Sequence, residues 1–170
     1  MEKQPKNAIA LTAALSLLPV AVDTTIVNVG LIPVGKALDT DFNTVQWISV
    51  GYLLANAAVI AISGYLGTRV GVKRLFSMSI VCFGLFSLLC GIAPSISWLI
   101  AFRVLQGLGG GALIPLGIAI ALEPFEKEER VKAMALVGLP VLLGPVIAPV
   151  LGGLIIDNIS WEFIFFVNVP

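Results

Sequence analysis

The chain has 170 residues, of which 58% are hydrophobic and 12% are charged, and its formal net charge is zero. Soluble domains contain about 45–50% apolar and about 25% charged residues, so this composition excludes an ordinary soluble domain and indicates an integral membrane protein. The balanced charge offers no basic arm for nucleic acid, and the lack of histidine excludes an imidazole as proton relay or metal ligand.

Long apolar stretches separated by short polar ones predict the order of elements. Residues 1–7 form a polar lead. The apolar stretches are long enough for helices to cross about 30 Å of hydrocarbon, and they lack the alternating polarity of β-barrel strands. The predicted fold class is therefore all-α, a polytopic transmembrane helix bundle. The predicted spans are residues 8–31, 45–66, 75–93, 98–122 and 133–156, with the start of a sixth at 163–170.

The basic residues predict the orientation of the chain in the membrane, because cytoplasmic loops carry an excess of lysine and arginine. With a cytoplasmic N-terminus, only Lys36 falls in an outer segment. The inner segments then hold Lys3, Lys6, Arg69, Lys73, Arg74, Lys127, Arg130 and Lys132. A secretory signal peptide is the alternative interpretation of the first apolar run. The apolar pattern resumes at residues 26–34, so we expect a membrane span with its N-terminus in the cytoplasm.

Two charged residues, Asp23 and Arg103, lie inside the first and fourth predicted spans. A charge at the bilayer centre costs about 2.5–3.5 kcal/mol on insertion scales, and such residues commonly mark an ion or substrate path. At 1.5 Å per residue, Asp23 lies about 24 Å and Arg103 about 30 Å from the cytoplasmic ends of their helices. A nearby arginine favours the ionised carboxylate, whereas apolar surroundings favour the protonated acid. We therefore hypothesise that conformation controls the proton affinity of Asp23.

Each of these charges also has a purely structural interpretation. Arg103 lies near the outer end of its predicted span, so its side chain could extend to the membrane interface. Asp23 could fix helix packing through polar contacts, helped by Thr24, Thr25 and Asn28. The sequence leaves these alternatives open, although the similar depth of the two charges favours coupling between them.

Glycine and proline are concentrated in the fourth and fifth spans. Gly107 and Gly111 form a G-x-x-x-G pair, which lets helices approach closely. A dinucleotide-binding loop is excluded here, because no strand precedes these glycines and their spacing is wrong. The fifth span contains Gly138, Pro140, Gly144, Pro145, Pro149, Gly152 and Gly153. This pattern predicts a bent helix that packs tightly or changes shape, with a static bend as the alternative.

Five stretches resemble, in order, the motifs of one transporter family. Residues 22–29 are similar to L-D-x-T-I-V-N-V-A-L-P of its helix 1, and residues 64–74 to its helix 2–3 loop G-x-L-A-D-R-x-G-R-K-R. Residues 99–109 resemble R-x-x-Q-G-x-G, residues 144–153 resemble G-P-x-x-G-P-x-x-G-G, and residues 161–170 resemble W-R-W-I-F-x-I-N-V-P. The chain thus resembles the major facilitator superfamily, specifically the N-terminal portion of drug:proton antiporters of the EmrB/QacA type in the fourteen-helix branch.

Several single residues depart from these motifs. Gly30 replaces an alanine, Val72 stands where a basic residue is frequent, Ala148 replaces a glycine and Glu162 replaces an arginine. Thr68 stands where the family has an aspartate, so a charge partner is lost. We expect Thr68 to preserve local structure by accepting a backbone hydrogen bond at a helix start.

The resemblance implies that residues 8–170 are the first five helices and the start of the sixth of a major facilitator fold, an incomplete N-terminal six-helix half. It implies proton coupling or substrate response for Asp23 and Arg103. The implied gating loop comprises Gly64, Thr68, Arg69, Gly71, Lys73 and Arg74. The implied helix-4 motif comprises Gln106, Gly107 and Gly111. The implied helix-5 antiporter motif comprises Gly144, Pro145, Pro149, Gly152 and Gly153.

The expected function is proton-coupled export of small amphipathic or cationic compounds by alternating access. A metabolite symporter of the same superfamily and a truncated fragment without transport activity are the alternatives. No span combines a nucleophile with a base or contains a metal-ligand cluster, so we do not expect an enzyme. We expect no cofactor and no metal, with the proton gradient as energy source. The expected partners are the lipid bilayer, a small-molecule substrate, protons and the C-terminal half of the transporter, in a bacterial inner membrane.

Overall fold

The computed structural model describes residues 6–169, except for the side chain of Pro140. Most of the predicted lead, residues 1–5, and the last residue of the predicted sixth span therefore lie outside the described residues. The described chain is all-α, as predicted. Its helices are α1 (Lys6–Ala37), α2 (Phe42–Val45), α3 (Trp47–Val70), α4 (Val72–Gly91), α5 (Ile96–Gly110), α6 (Leu113–Leu122), α7 (Arg130–Asn158) and α8 (Phe163–Phe166).

Five helical stretches of the described chain are long and apolar enough to cross a membrane. They are Lys6–Ala37, Phe42–Val70, Val72–Gly91, Ile96–Leu122 and Arg130–Asn158. The protein is thus an integral, multi-pass membrane protein. The fourth stretch differs from the continuous span that the sequence predicts, because α5 and α6 meet at a turn formed by Gly111 and Ala112.

The predicted loop between the second and third spans is wrong, because helix extends over nearly all of it. Only Gly71 separates α3 from α4, and its φ of 94° is a conformation that glycine adopts without steric cost. The Gly71 N–H donates to the Gly67 carbonyl at 3.0 Å, and the Gly71 carbonyl accepts from the Leu75 N–H at 2.9 Å. The charged residues that suggested a loop in the sequence lie at the ends of two long helices.

The expected role of Thr68 at a helix start is also wrong. Thr68 lies near the end of α3, and its hydroxyl donates to the Tyr65 carbonyl at 2.8 Å. The residue that precedes α4 is Gly71, which has no side chain to form a cap. The threonine hydroxyl therefore folds back onto its own helix.

Small residues determine where the helices approach one another most closely. A Cβ atom added to Gly107 on α5 would lie 2.5 Å from the Tyr52 carbonyl oxygen on α3, and one added to Gly111 would lie 2.6 Å from the Asn56 carbonyl oxygen. A Cβ atom at either position would overlap the facing backbone, so the absence of a side chain lets the two helices approach this closely. The α3–α5 contact therefore holds the α5 side chains close to α3.

The short helix α8 packs against α1 and α4. Gly30 on α1 has the Ile164 side chain 2.6 Å from where its Cβ would be, and the Phe166 ring leaves no room for a Cβ on Gly91 of α4. Ile164 and Phe165 are completely buried. This seating carries the residues after α8, including Asn168, into the bundle.

Candidate functional site

A buried ion pair joins α1 to α5. The Arg103 Nη1 atom donates to Asp23 Oδ2 at 2.7 Å, and the exposed fractions of the two side chains are 1% and 0%. Arg103 therefore does not extend to the membrane interface, which was the structural alternative for this residue. A buried charge that lost its partner would be strongly destabilising, so Asp23 and Arg103 depend on one another.

Gln106 connects the two members of this pair a second time. It lies one helical turn after Arg103, accepts a hydrogen bond from Arg103 Nη1 at 2.7 Å and donates from Nε2 to Asp23 Oδ1 at 3.4 Å. The Arg103 Nε–H donates to the Ile48 carbonyl of α3 at 3.2 Å. The guanidinium is thus bound by groups from three helices, α1, α3 and α5.

Aromatic rings enclose the arginine from two directions. The Arg103 Cζ atom lies 4.1 Å from the ring centroid of Tyr52 and 5.8 Å from that of Phe165. A guanidinium above an aromatic face is stabilised by the ring quadrupole, most strongly where water is excluded. Tyr52 is 1% exposed, so the rings replace water around the charge.

Asn168 binds the remaining side of the carboxylate. Its Nδ2 atom donates to Asp23 Oδ1 at 2.8 Å and to Ser87 Oγ at 3.2 Å. Ser87 in turn donates to the Phe165 carbonyl at 2.8 Å. Asp23 therefore accepts hydrogen bonds from Arg103, Gln106 and Asn168.

The sequence missed Asn168, Ser87, Tyr52 and Phe165 as members of this site. The polar Asn168 follows a run of apolar residues inside a stretch that resembles a family motif, and this was the available signal. Ser87 and Tyr52 gave no comparable signal, because a single serine or tyrosine in an apolar span is common. We name the seven side chains Asp23, Arg103, Gln106, Tyr52, Asn168, Ser87 and Phe165 the Asp23 network.

The Asp23 network pairs one carboxylic acid with one arginine. Asp23 is the acidic member, and its carboxylate faces one full positive charge on Arg103. Protonation of Asp23 would cancel the ion pair and leave the arginine charge without its counter-ion. A buried charge without its partner costs free energy.

The predicted gating residues lie apart from the Asp23 network, at the α3–α4 junction. Gly64, Thr68 and Arg69 lie on α3, whereas Lys73 and Arg74 lie on α4. Lys73 forms an exposed ion pair of 3.2 Å with Glu123 at the end of α6. A cleft of about 510 Å³ lies beside this ion pair, lined by Gly71, Val72, Lys73, Arg74, Ala119, Ile120 and Glu123. The structure thus brings the junction together with the end of α6.

The predicted helix-5 motif lies on α7, which is the fifth membrane-spanning stretch. Its residues fall on two faces of this helix. Gly144 and Gly152 are buried against α1, where added Cβ atoms would lie 3.1 Å from the Ala21 Cβ and 2.8 Å from the Ile26 Cγ1. Pro145 and Pro149 are exposed on the opposite side. No heavy atom outside the local helix lies within 4 Å of a Cβ added to Gly153. The small residues thus bring α7 against the part of α1 that carries Asp23.

Comparisons with known proteins agree with this architecture. The family model described as Major Facilitator Superfamily matches residues 13–170. The chain is 44% identical over 153 residues to a "Multidrug resistance protein B homolog" of Mycobacterium tuberculosis, covering 88% of this chain and 28% of that protein. It is 42% identical over 164 residues to "Multidrug export protein EmrB" of Haemophilus influenzae, covering 95% and 32%.

A third relative is "Multidrug export protein EmrB" of Escherichia coli K12, which is 38% identical over 164 residues. The match covers 95% of this chain and 32% of that protein. The chain therefore spans under a third of the length of each of these relatives.

Proposed function

Because the chain belongs to the Major Facilitator Superfamily, we propose that it forms the N-terminal part of a proton-coupled exporter of small amphipathic or cationic compounds. The proposed exporter works by alternating access, with the proton gradient as its energy source and without a cofactor. Its proposed location is a bacterial inner membrane, with the N-terminus in the cytoplasm. The C-terminal half of the transporter is the proposed structural partner.

The buried ion pair between Asp23 and Arg103 is the observation that carries this proposal. Two opposite charges at 2.7 Å inside an apolar bundle are costly to keep for stability alone, because burying them removes their hydration. Intramembrane acids commonly mark ion and substrate paths. A pair whose charge balance changes with one proton supplies a physical basis for coupling.

The names of the relatives support export rather than uptake. The M. tuberculosis, H. influenzae and E. coli proteins carry names that refer to multidrug resistance or multidrug export. An ionised Asp23 suits a cationic compound, because the compound and a proton would compete for one carboxylate. We propose that the proton enters at Asp23, separates it from Arg103 and lowers the affinity for the cationic substrate.

The proposal is tested by ethidium efflux from cells that express the complete protein from its gene, with and without an uncoupler. We expect expression to lower ethidium accumulation and the uncoupler to abolish this effect. Asp23→Asn should remove energy-dependent efflux, because the amide cannot release a proton. Asp157→Asn is the matched control, since Asp157 lies exposed near the end of α7.

Two outcomes would contradict the proposal. Full efflux by Asp23→Asn would remove this residue from the coupling mechanism. In proteoliposomes with an internal pH dye, proton and substrate movement in the same direction would favour the metabolite symporter instead. Both assays require that the variants reach the membrane in equal amounts, which is measured by immunoblot.

A further inference from the structure

We infer that Asn168 is a positioning residue that donates a hydrogen bond to ionised Asp23 and accepts one from protonated Asp23. This inference rests on the proposed function, because it gives Asn168 a part in proton binding at Asp23. Asn168 is 6% exposed, and its Nδ2 donates to Asp23 Oδ1 at 2.8 Å. Arg103 occupies the other oxygen, Oδ2. Asn168 and Arg103 thus hold opposite sides of the carboxylate.

The side-chain oxygen of Asn168 is the second observation. The Oδ1 atom is buried, and it has no hydrogen-bond partner among the described residues. Buried polar atoms are almost always hydrogen-bonded, so an exception requires an explanation. A half-turn of the amide exchanges the positions of Oδ1 and Nδ2 and places the oxygen beside Asp23. The unpaired atom is therefore the acceptor that a protonated Asp23 needs.

The proton step changes the donors and acceptors without breaking any bond between heavy atoms. The incoming proton forms an O–H bond at Asp23 Oδ1, the oxygen that Arg103 does not bind. This O–H group no longer accepts a hydrogen bond from Asn168 Nδ2, and it donates instead to Oδ1 of the turned amide. The half-turn also breaks the hydrogen bond from Nδ2 to Ser87 Oγ. The combined charge of Asp23 and Arg103 then rises from zero to +1.

The chain around Asn168 is held in place, so the amide can turn while its backbone stays fixed. The Ser87 hydroxyl donates to the backbone carbonyl of Phe165, three residues before Asn168. Phe166 packs on Gly91 of α4, and Ile164 packs on Gly30 of α1. The α8 segment thus positions Asn168 relative to both helices.

Few other titratable groups face Asp23. Arg103 on α5, Tyr52 on α3 and Cys90 on α4 are close enough to interact with it electrostatically. α8 carries no titratable residue. The titratable residues of α7, which are Arg130, Lys132 and Asp157, form no hydrogen bond or ion pair with Asp23 in the described structure. Asp23 is therefore the carboxylic acid that Asn168 contacts in the described structure.

Infrared difference spectra of the complete protein between high and low pH test the inference. The C=O band of a protonated carboxylic acid that disappears in Asp23→Asn reports on Asp23. In Asn168→Leu we expect this band to persist to a pH about one unit higher, because the lost bond to the carboxylate is stronger than the lost bond to the acid. A side-chain amide signal that changes together with the Asp23 band should vanish in the same variant.

Asn158→Leu is the matched control, because Asn158 donates to the Leu154 backbone carbonyl at 2.8 Å and not to Asp23. It should leave the Asp23 band and the coupled amide signal unchanged. Asn168→Gln retains a donor and an acceptor and should restore part of the normal titration. If Asn168→Leu does not fold, Ser87→Ala gives the corresponding test, with a smaller shift in the same direction.

The outcomes separate this inference from the proposed function. An Asp23 band that titrates identically in the unaltered protein and in Asn168→Leu would overturn the role of Asn168 and leave the proposed function standing. A protein in which Asp23→Asn removes no acid band at any pH would overturn proton binding at Asp23 itself. An amide signal that persists in Asn168→Leu would overturn the turning of the Asn168 side chain.

Discussion

The ring of Tyr52 covers the guanidinium group of Arg103, with 4.1 Å between the Arg103 Cζ atom and the ring centroid. A desolvated cation–π contact contributes about 2 kcal/mol. We therefore expect Tyr52→Leu to lower the free energy of unfolding by about 2 kcal/mol or more, as measured by thermal unfolding in detergent. Ethidium efflux should fall in parallel, because Arg103 loses one of the groups that hold it.

Tyr52→Phe is the control for this prediction. Within residues 6–169, the one hydrogen bond of the Tyr52 hydroxyl is a long contact of 3.5 Å, in which Asn56 is the donor. Phenylalanine keeps the aromatic face, so the variant should retain most of its stability and efflux. Equal losses in Tyr52→Phe and Tyr52→Leu would show that the hydroxyl group, and not the ring, supports Arg103.

The close contact between α3 and α5 at Gly107 gives the second prediction. A Cβ atom at this position would lie 2.5 Å from the Tyr52 carbonyl oxygen, and a backbone atom cannot move away without displacing its helix. Gly107→Ala should lower the free energy of unfolding by about 1–3 kcal/mol. Gly84→Ala on α4 meets no atom within 4 Å, and it should be neutral or stabilising by up to about 1 kcal/mol.

The conformation of Gly71 gives the third prediction. With φ at 94°, an alanine at this position would be strained by about 1–3 kcal/mol. Gly71→Ala should therefore destabilise the protein, which thermal unfolding measures. It should also alter the angle between α3 and α4, which we expect to lower efflux. Gly64→Ala lies inside α3 with open space around it. An equal effect of both substitutions would contradict the explanation from backbone strain.

Acid pH should loosen the start of α2 through Asp41. Hydrogen bonds from the Thr44 hydroxyl at 2.6 Å and the Thr44 N–H at 3.1 Å lower the pKa of Asp41 below its ordinary value. A lowered pKa contributes stability that is complete above the pKa of the unfolded chain and is lost as the pH falls through the folded pKa. The loss therefore occurs below pH about 4.

Asp41→Asn isolates this effect, because asparagine is an equally good N-cap and does not titrate in this range. Melting temperatures of the two proteins should agree near neutral pH. Below pH about 4, the melting temperature of the unaltered protein should fall slightly below that of Asp41→Asn, by less than the Gly71→Ala effect. A constant difference at all pH values would contradict a titrating cap.

The sequence located Asp23 and Arg103 at similar depth, because a fixed rise per residue relates position to height in a long apolar helix. Their contact required the rotation of α1 and α5 about their own axes, which packing against other helices determines. Gln106 lies three residues after Arg103. The motif R-x-x-Q-G-x-G includes Gln106, but its hydrogen bonds to both charges depend on that same rotation.

Asn168 could not be assigned because its position depends on how the chain returns into the bundle after α7. Phe166 packs on Gly91 and Ile164 packs on Gly30, and the residues of each pair are far apart in the sequence. The spans predicted at residues 45–66 and 75–93 imply a loop at residues 67–74, and this prediction was wrong for a different reason. Its charged residues lie at helix ends, where they remain hydrated while the backbone stays helical, and only Gly71 interrupts the backbone.

Only Gly71 separates the end of α3 from the start of α4, so these two helix ends stay close together. Spin labels attached at Arg69 and Arg74 would flank Gly71, so the distance between them would stay constant when the two helices move together. The distance between these two labels would serve as an internal reference when distances between spin labels are measured in the transporting protein. Changes between either label and a third label on α7 could then be attributed to α7.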